Sequence, residues 1–290
     1  MTIRRTAEGL SAPPDAQAPP TNALATAERS VAAAFLAAHP PGAGTPLAVV
    51  IAAYNEADIV GEVVRAVPRE VDGLATEVIV VVDGAVDATA AEAVAAGALV
   101  CDVPVNQGQG AALRLGYLLA RSRGARIVVT LDADGQFDPA ELPVVVEPIV
   151  AGRSDFVSGS RRLGTELTVD TARHVGVIVF AALISVAIRH RVTDPACGLR
   201  AMRAEVTAAV TLEQAQYQSS ELLISAALNG YRVSEVPITM RPRGAGRTKK
   251  GGNLAYGVRF GRVILRTWWR DRGLASGSTG RSPVTKITRS

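Results

Sequence analysis

Residues 126–136 read RIVVTLDADGQ. The stretch from Arg126 to Leu131, Ile-Val-Val-Thr between its ends, reads as a strand. It runs straight into Asp132 and Asp134. If extended geometry persists, two positions two residues apart point the same way, and two carboxylates so placed call for a cation to offset their repulsion. Magnesium and manganese prefer oxygen ligands and keep waters while also binding phosphates. The plainer alternative is an Asp-rich turn, because Asp favours turns after strands.

Upstream, residues 47–52 (LAVVIA) form a continuous apolar run with no polar alternation, which is how a strand buried on both faces reads; it stops at Ala53-Tyr54-Asn55-Glu56, and a helical pattern with Ile59, Val63, Val64 and Val67 follows. A strand from Glu77 to Val82 ends at Asp83-Gly84 and leads into a helix over 87–96. Val100 and Cys101 mark a brief strand before Asn106-Gln107-Gly108-Gln109-Gly110, and a helix over 111–123 precedes the Asp132 strand. Downstream, Asp155 to Arg161 reads as a fifth strand and its exit loop. Strands separated by helices of this length predict an α/β fold with a mainly parallel central sheet flanked by helices. Ligands bind outside the carboxyl ends of such strands, where Asp83, Asn106, Asp132 and Asp134 all fall. Neither GxGxxG nor GxxxxGK[ST] occurs, so the dinucleotide and P-loop readings lose their signatures.

The remaining sequence divides by composition. Residues 1–46 are rich in Ala and Pro and are expected to be mostly disordered, with one helix over 24–38. The catalytic unit is expected over 47–240, a basic loop and amphipathic helix over 241–272, and a disordered tail over 273–290. Residues 175–188 (VGVIVFAALISVAI) are too short to span a membrane and predict a buried helix, ahead of one lying at a membrane surface. A helix over 219–229, a short edge strand from Tyr231 to Val236 closed by Pro237, and a last helix over 253–270 complete the pattern. Between Arg241 and Arg272 ten Lys or Arg residues stand against the single acid Asp271. A local basic surface suits nucleic acid, an anionic membrane or phosphorylated substrates. Arg259, Arg262, Arg266 and Arg270 recur at helical spacing beside Trp268 and Trp269, the pattern of an interfacial anchor or of a helix docked with Arg facing water. Cys101 and Cys197 are expected to be buried thiols, and the three histidines form no zinc spacing. Arg4-Arg5 is followed by polar, proline-rich sequence, so the expected location is cytoplasmic.

Taken together, Ala52-Ala53-Tyr54-Asn55-Glu56, Val82-Asp83-Gly84 with Asp87 and Thr89, Asn106 to Gly110, Asp132-Ala133-Asp134-Gly135-Gln136 and Gly159-Ser160-Arg161 resemble the inverting glycosyltransferases of family 2, which have the GT-A fold with a Rossmann-like sheet. Thr193-Asp194-Pro195-Ala196-Cys197-Gly198-Leu199-Arg200 and Glu235-Val236-Pro237-Ile238 resemble the branch of dolichol-phosphate mannose synthases and polyprenyl-phosphate glycosyltransferases. The resemblance covers roughly residues 47–250. It implies metal-dependent transfer of a hexose from a nucleotide-diphosphate sugar, of GDP-mannose or UDP-glucose type, to a polyprenyl or dolichyl phosphate.

The resemblance also implies roles. Asp83 would contact the nucleotide, with Ala53, Tyr54 and Glu56 lining its pocket. Asp132 and Asp134 would hold Mg2+ or Mn2+ against the donor diphosphate, with Gln136 as a further ligand. Arg161, Arg200, Arg247 and Lys249 would surround donor and acceptor phosphates, and Asp194 would stand near the acceptor. A hydroxyl acceptor would need a base, for which Asp194 and Glu221 are the candidates, Glu221 having local capping or pairing as its competing role. Two departures stand out. The family's doubled aspartate followed by Gly-Ser is replaced by Val82-Asp83-Gly84-Ala85, and the extra spanning helices of many lipid-phosphate relatives have no counterpart. Membrane contact through 175–188 and 253–270 is the expectation for a lipid acceptor. Self-association is compatible with the sequence, and no nucleic-acid partner is expected, since that reading leaves the aspartates unexplained. The alternatives are the same donor chemistry onto a soluble hydroxyl acceptor and a nucleotide-sugar binding protein without turnover.

Overall fold

The computed structural model describes residues 26–41, 45–167, 171–214, 218–243 and 253–275. Its centre is a sheet whose parallel part comprises β1 (Leu47–Ala53), β3 (Leu74–Asp83), β4 (Leu99–Val103) and β5 (Ile127–Thr130). β1 lies between β3 and β5, and β3 carries β4 along one half and the two-residue β2 (Glu70–Val71) along the other. Alternate residues of β1 serve opposite faces. Ala48 and Val50 join a core with Leu113, Leu115 and Tyr117 of α4 (Gln109–Ser122). Leu47, Val49 and Ile51 join another with Val60, Val63 and Val64 of α2 (Val60–Ala66) and Leu142, Val145 and Val146 of α5 (Leu142–Val150). Burial on both faces is why the run shows no polar alternation. Gly116 lets α4 lie directly on β1, since a Cβ there would meet Val50 Cγ1 at 2.3 Å.

The other half of the sheet changes direction. β7 (Arg200–Arg203) inserts antiparallel between β5 and β6 (Phe156–Glu166), and β8 (Val233–Met240) runs parallel to β6 at the outer edge. Because β7 is reversed, its beginning lies at the edge where β1, β3 and β5 end: Arg200 is in register with Thr130 and with Ser158. The exits of β6 and β8 reach the same edge, which therefore collects segments from both halves.

Several expectations are corrected. Pro237 does not close β8; the strand continues to Met240, and a proline is tolerated there because β8 is the outermost strand of its half of the sheet. The run 175–188 belongs to α6 (Thr171–Ile188), whose Ile178, Val179, Leu183 and Val186 face solvent, while Ala181 and Ile184 face inward. It packs against α8 (Gln218–Leu228) and α9 (Asn253–Ala275) at the outside of the molecule and is not a buried helix. The N-terminal helix occupies Thr26–Ala38 and packs on β4 and α4 through Phe35 and Ala32. Cys101 and Cys197 are both buried thiols. Of the tail expected to be disordered over 273–290, residues 273–275 continue α9; residues 276–290, and 1–25 and 42–44 of the N-terminal stretch expected to be mostly disordered, lie outside the described residues.

Candidate active site

Beyond Thr130 the chain makes one more sheet contact, Leu131 N–H to Val50 O at 3.1 Å, and then turns. Gln136 N–H donates to Asp134 Oδ1 at 3.1 Å, and Gly135 takes the left-handed conformation (φ 71°) that closes the turn. Asp132 Oδ1 accepts from Gln109 Nε2 at 3.2 Å, from the start of α4. Gly198, just before β7, presses on the other carboxylate oxygen: a Cβ there would stand 2.0 Å from Asp132 Oδ2. Burial and the Asp132 charge together push the Asp134 carboxyl up to about 6. The cation that faces it is Arg243, whose Nη1 lies 3.5 Å from Asp134 Oδ2 and whose Nη2 pairs with Glu56 Oε1. Gln136 Nε2 points at the carbonyl of Arg241, 3.4 Å away. Among the described residues no three His, Cys, Asp or Glu side chains converge as a metal cluster. The set available to a divalent ion is two carboxylates and an amide oxygen, which suits a hard, oxygen-seeking ion that fills its other positions with water and phosphate.

At the exits of β1 and β3 the loops are tied to one another. Asp83 is buried, and its two oxygens accept Gln107 N–H at 2.9 Å and Gly108 N–H at 2.7 Å, while Asn106 Nδ2 donates to the Asp83 carbonyl at 2.9 Å. Burial raises this carboxyl and the two amides partly offset the rise. Gly84 (φ 67°) must lack a side chain, since a Cβ would lie 2.2 Å from Asn106 N. Asn55 Oδ1 accepts Val86 N–H at 2.9 Å and Thr89 Oγ1 accepts Glu56 N–H at 2.9 Å, stitching the exits of β1 and β3 together. Asp87 Oδ1 caps Thr89 N–H at 3.0 Å. Tyr54 is exposed beside these loops and Ala53 is buried. Asp83 thus stands at the expected edge, but with its carboxylate already spent on backbone amides.

Across the edge, after β6, stands a buried ion pair. Asp194 is fully buried; its oxygens accept Arg161 Nε at 2.6 Å, Nη2 at 2.7 Å and the Arg161 backbone N–H at 3.1 Å. Burial, which would lower the Arg161 pKa, is outweighed by Asp194, and the guanidinium stays charged. Glu235 of β8 lies behind, accepting Thr193 N–H at 2.7 Å and Asp194 N–H at 2.9 Å. Arg200 is buried too, donating to the carbonyls of Pro195 at 3.1 Å and of Ser219, with Nε unpartnered. These contacts hold the 194–199 loop against the start of α8. Glu221 is buried and accepts Glu213 and Gln214 N–H and Arg270 Nη1 at 2.9 Å, so it serves the local capping and pairing role.

A model of glycosyl transferase family 2 matches residues 48–211. The chain belongs to this family. A dolichyl-phosphate hexose transferase of Haloferax volcanii is 36% identical over 226 residues, covering 78% of this chain and 95% of that one. An undecaprenyl-phosphate mannosyltransferase of Micrococcus luteus is 29% identical over 51% of this chain and 62% of its own. The glucosyl-3-phosphoglycerate synthase of Mycobacterium tuberculosis, solved with Mn2+, UDP-glucose and phosphoglyceric acid, superposes with a TM-score of 0.61 at 23% identity, covering 83% of each chain. That likeness establishes the fold, which is GT-A. The family 2 assignment makes the protein a glycosyltransferase.

For this family 2 enzyme, the tertiary structure sets Asp132 and Asp134 at the end of β5, bridges Asp134 to Glu56 through Arg243, turns Gln136 toward the Arg241 carbonyl, and pairs Arg161 with Asp194 in the loop that Arg200 holds. Arg247 and Lys249 lie outside the described residues. Sequence reasoning missed Arg243, which it had counted only as part of a basic segment, and Gln109 and Gly198, which it had quoted in motifs without a role. The signal for Gly198 was its place directly before Leu199-Arg200, a strand start that faces the Asp132 strand end.

Proposed function

We propose that the protein transfers a hexose from a nucleoside-diphosphate sugar to a polyprenyl phosphate, with inversion at the anomeric carbon and a divalent cation bound. The observation that carries this reading is the pairing of Asp132 with Asp134, two carboxylates at the carboxyl edge of the sheet, one of them held up near 6 by burial and by its neighbour. Their mutual repulsion suits a bound cation, and Asp132, Asp134 and the amide oxygen of Gln136 would hold Mg2+ or Mn2+. Such an ion would offset the charge that develops on the departing nucleoside diphosphate.

The chain's own groups do the rest. Asp83, tied to Gln107 and Gly108, fixes the floor on which the nucleotide would rest, and exposed Tyr54 offers a ring face to a base. Arg243 sits where Asp134 and Glu56 both reach it, and exchange of those partners for phosphate oxygens would bring its charge to the substrates. A phosphate acceptor is already an anion and needs positioning more than deprotonation. The engagement of Asp194 by Arg161, and of Glu221 by Arg270, favours that acceptor over a hydroxyl, since neither acid is free to act as a base. The match to the Haloferax protein along 95% of its length supports the lipid acceptor. The reaction would run on the cytoplasmic side of a membrane.

The test is incubation of the purified protein with Mn2+ or Mg2+ and a panel of nucleotide sugars, with and without polyprenyl phosphate, detecting released nucleotide and glycolipid. Turnover that depends on the lipid phosphate is expected. Turnover confined to a soluble alcohol would overturn the acceptor, and activity unchanged in chelator would overturn the metal.

A further inference from the structure

Val128 of β5 and Met202 of β7 share a core with Tyr117 of α4. Two residues nearer the candidate site the paired positions are Thr130 and Arg200, and the same face of the sheet turns polar. The Tyr117 hydroxyl stands 3.0 Å from Thr130 Oγ1, and Asp132 follows on that face, met there by Gln109 from the start of α4. Gln218 and Ser220 close the cluster from the start of α8, with Ser220 Oγ donating at 3.0 Å to the Pro195 carbonyl that Arg200 also takes. Tyr117, Thr130, Arg200, Gln218 and Ser220 are all buried. Burial raises the Tyr117 phenol, which stays a neutral hydroxyl. Arg200 Nε and Gln218 Nε2 find no partner among the described residues.

The two buried arginines near this edge differ. Asp194 closes Arg161 on two of its nitrogens, whereas both Nη atoms of Arg200 go to carbonyls and no carboxylate pairs with it among the described residues. Burial lowers the Arg200 pKa, and its neighbours, Asp194 and Asp132 among them, work against the fall. An arginine keeps its charge in such a place. Without an ion pair or a solvent shell that charge is weakly screened, and its field extends to the Asp132 end of β5. The side chain itself is sealed and occupied with the 194–199 loop, so it does not reach a phosphate. We infer that Arg200 is a positioning residue, an internal countercharge fixed beneath Asp132 that acts on the departing diphosphate through space without touching it. The inference rests on the cation and diphosphate assigned above to Asp132 and Asp134. A fixed positive charge opposes a bound Mn2+ taken alone and favours the negative charge that grows on the leaving group. Removing it therefore moves ion binding and turnover in opposite directions. A residue that only held the loop would weaken both when removed, since Gly198 of that loop bears on the Asp132 carboxylate.

The experiment is a calorimetric titration of the full chain with Mn2+ in the absence of nucleotide, beside turnover read as released nucleotide, for the wild type, Arg200→Met and Arg200→Lys. Arg200→Met should bind Mn2+ about fivefold more tightly. Its kcat should fall about a hundredfold, with the donor KM changing far less. Arg200→Lys, which keeps the charge and loses the fork of donors, should recover most of both values. Should Arg200→Met fold poorly, Gln218→Glu tests the same point with the arginine in place: an acid of nearly the same shape in this cluster neutralises the guanidinium and should shift both readings in the same senses. Weaker Mn2+ binding in Arg200→Met with no recovery in Arg200→Lys would make Arg200 a loop support and overturn this inference alone. Unchanged ion binding and turnover in a folded Gln218→Glu variant would overturn it as well. Wild-type turnover that chelator leaves intact would overturn the cation reading and this inference together.

Discussion

Two sets of carboxylates stand at the same edge of the sheet and are treated in opposite ways. Asp194 is sealed from water and given a guanidinium on both oxygens, with Glu235 holding its backbone from behind. Asp132 and Asp134 are given each other, and among the described residues Gln109, a backbone amide, Arg243 at 3.5 Å and the charge of buried Arg200 partly offset the repulsion. A buried acid that carries its own counterion has its electrostatics closed within the fold, and it acts by fixing a loop. An acid pair left under-compensated keeps an unfavourable interaction that a cationic ligand can relieve, and that is how a fold reserves a place for one.

The sharpest way to break this contrast is to remove both members of the open pair. Asp132→Ala with Asp134→Ala should lower turnover by about a thousandfold or more, read as released nucleotide, while thermal unfolding shifts little or upward because a repulsion is gone. Asp194→Asn should behave in reverse. It strands Arg161 in the interior and should cost about 3–5 kcal/mol of stability in denaturant titration, with activity falling in step with folded fraction. Gly198→Ala separates the two sites more finely: the added methyl displaces the Asp132 carboxylate, so affinity for Mn2+ measured calorimetrically should fall about 10- to 100-fold. The smallest effect is expected for Arg243→Gln, which withdraws a competing cation and should strengthen Mn2+ binding in the absence of donor by about fivefold. Weaker binding in that variant would mean that Arg243 helps to build the ion site instead of occupying it.

Part of this contrast is legible in the sequence. The strands β1, β3 and β5 could be read because burial on both faces leaves uninterrupted Val, Ile and Ala runs, and their ends deliver Asp83 and Asp132 as a direct consequence of parallel order. The short β7 could not: Arg-Ala-Met-Arg has no strand-like run of its own, and it is ordered by pairing with both β5 and β6. Its reversal is what carries Gly198 to Asp132 and Arg200 beneath the loop. The stretch 175–188 misled for a related reason. Apolar composition says that a segment avoids water, and it does not say whether protein or another phase provides the shelter.

The sequence by itself determined the alternation of elements, the family motifs and the identity of the acidic pair, because these depend on local pattern and chain order. Only the tertiary structure decided which acids have a counterion. Asp194 and Arg161 are 33 residues apart in the chain, and Arg243 is farther still from Glu56, with 187 between them. Charge compensation acts through space, and no spacing along the chain distinguishes a carboxylate that has found its arginine from one that is still waiting for a ligand.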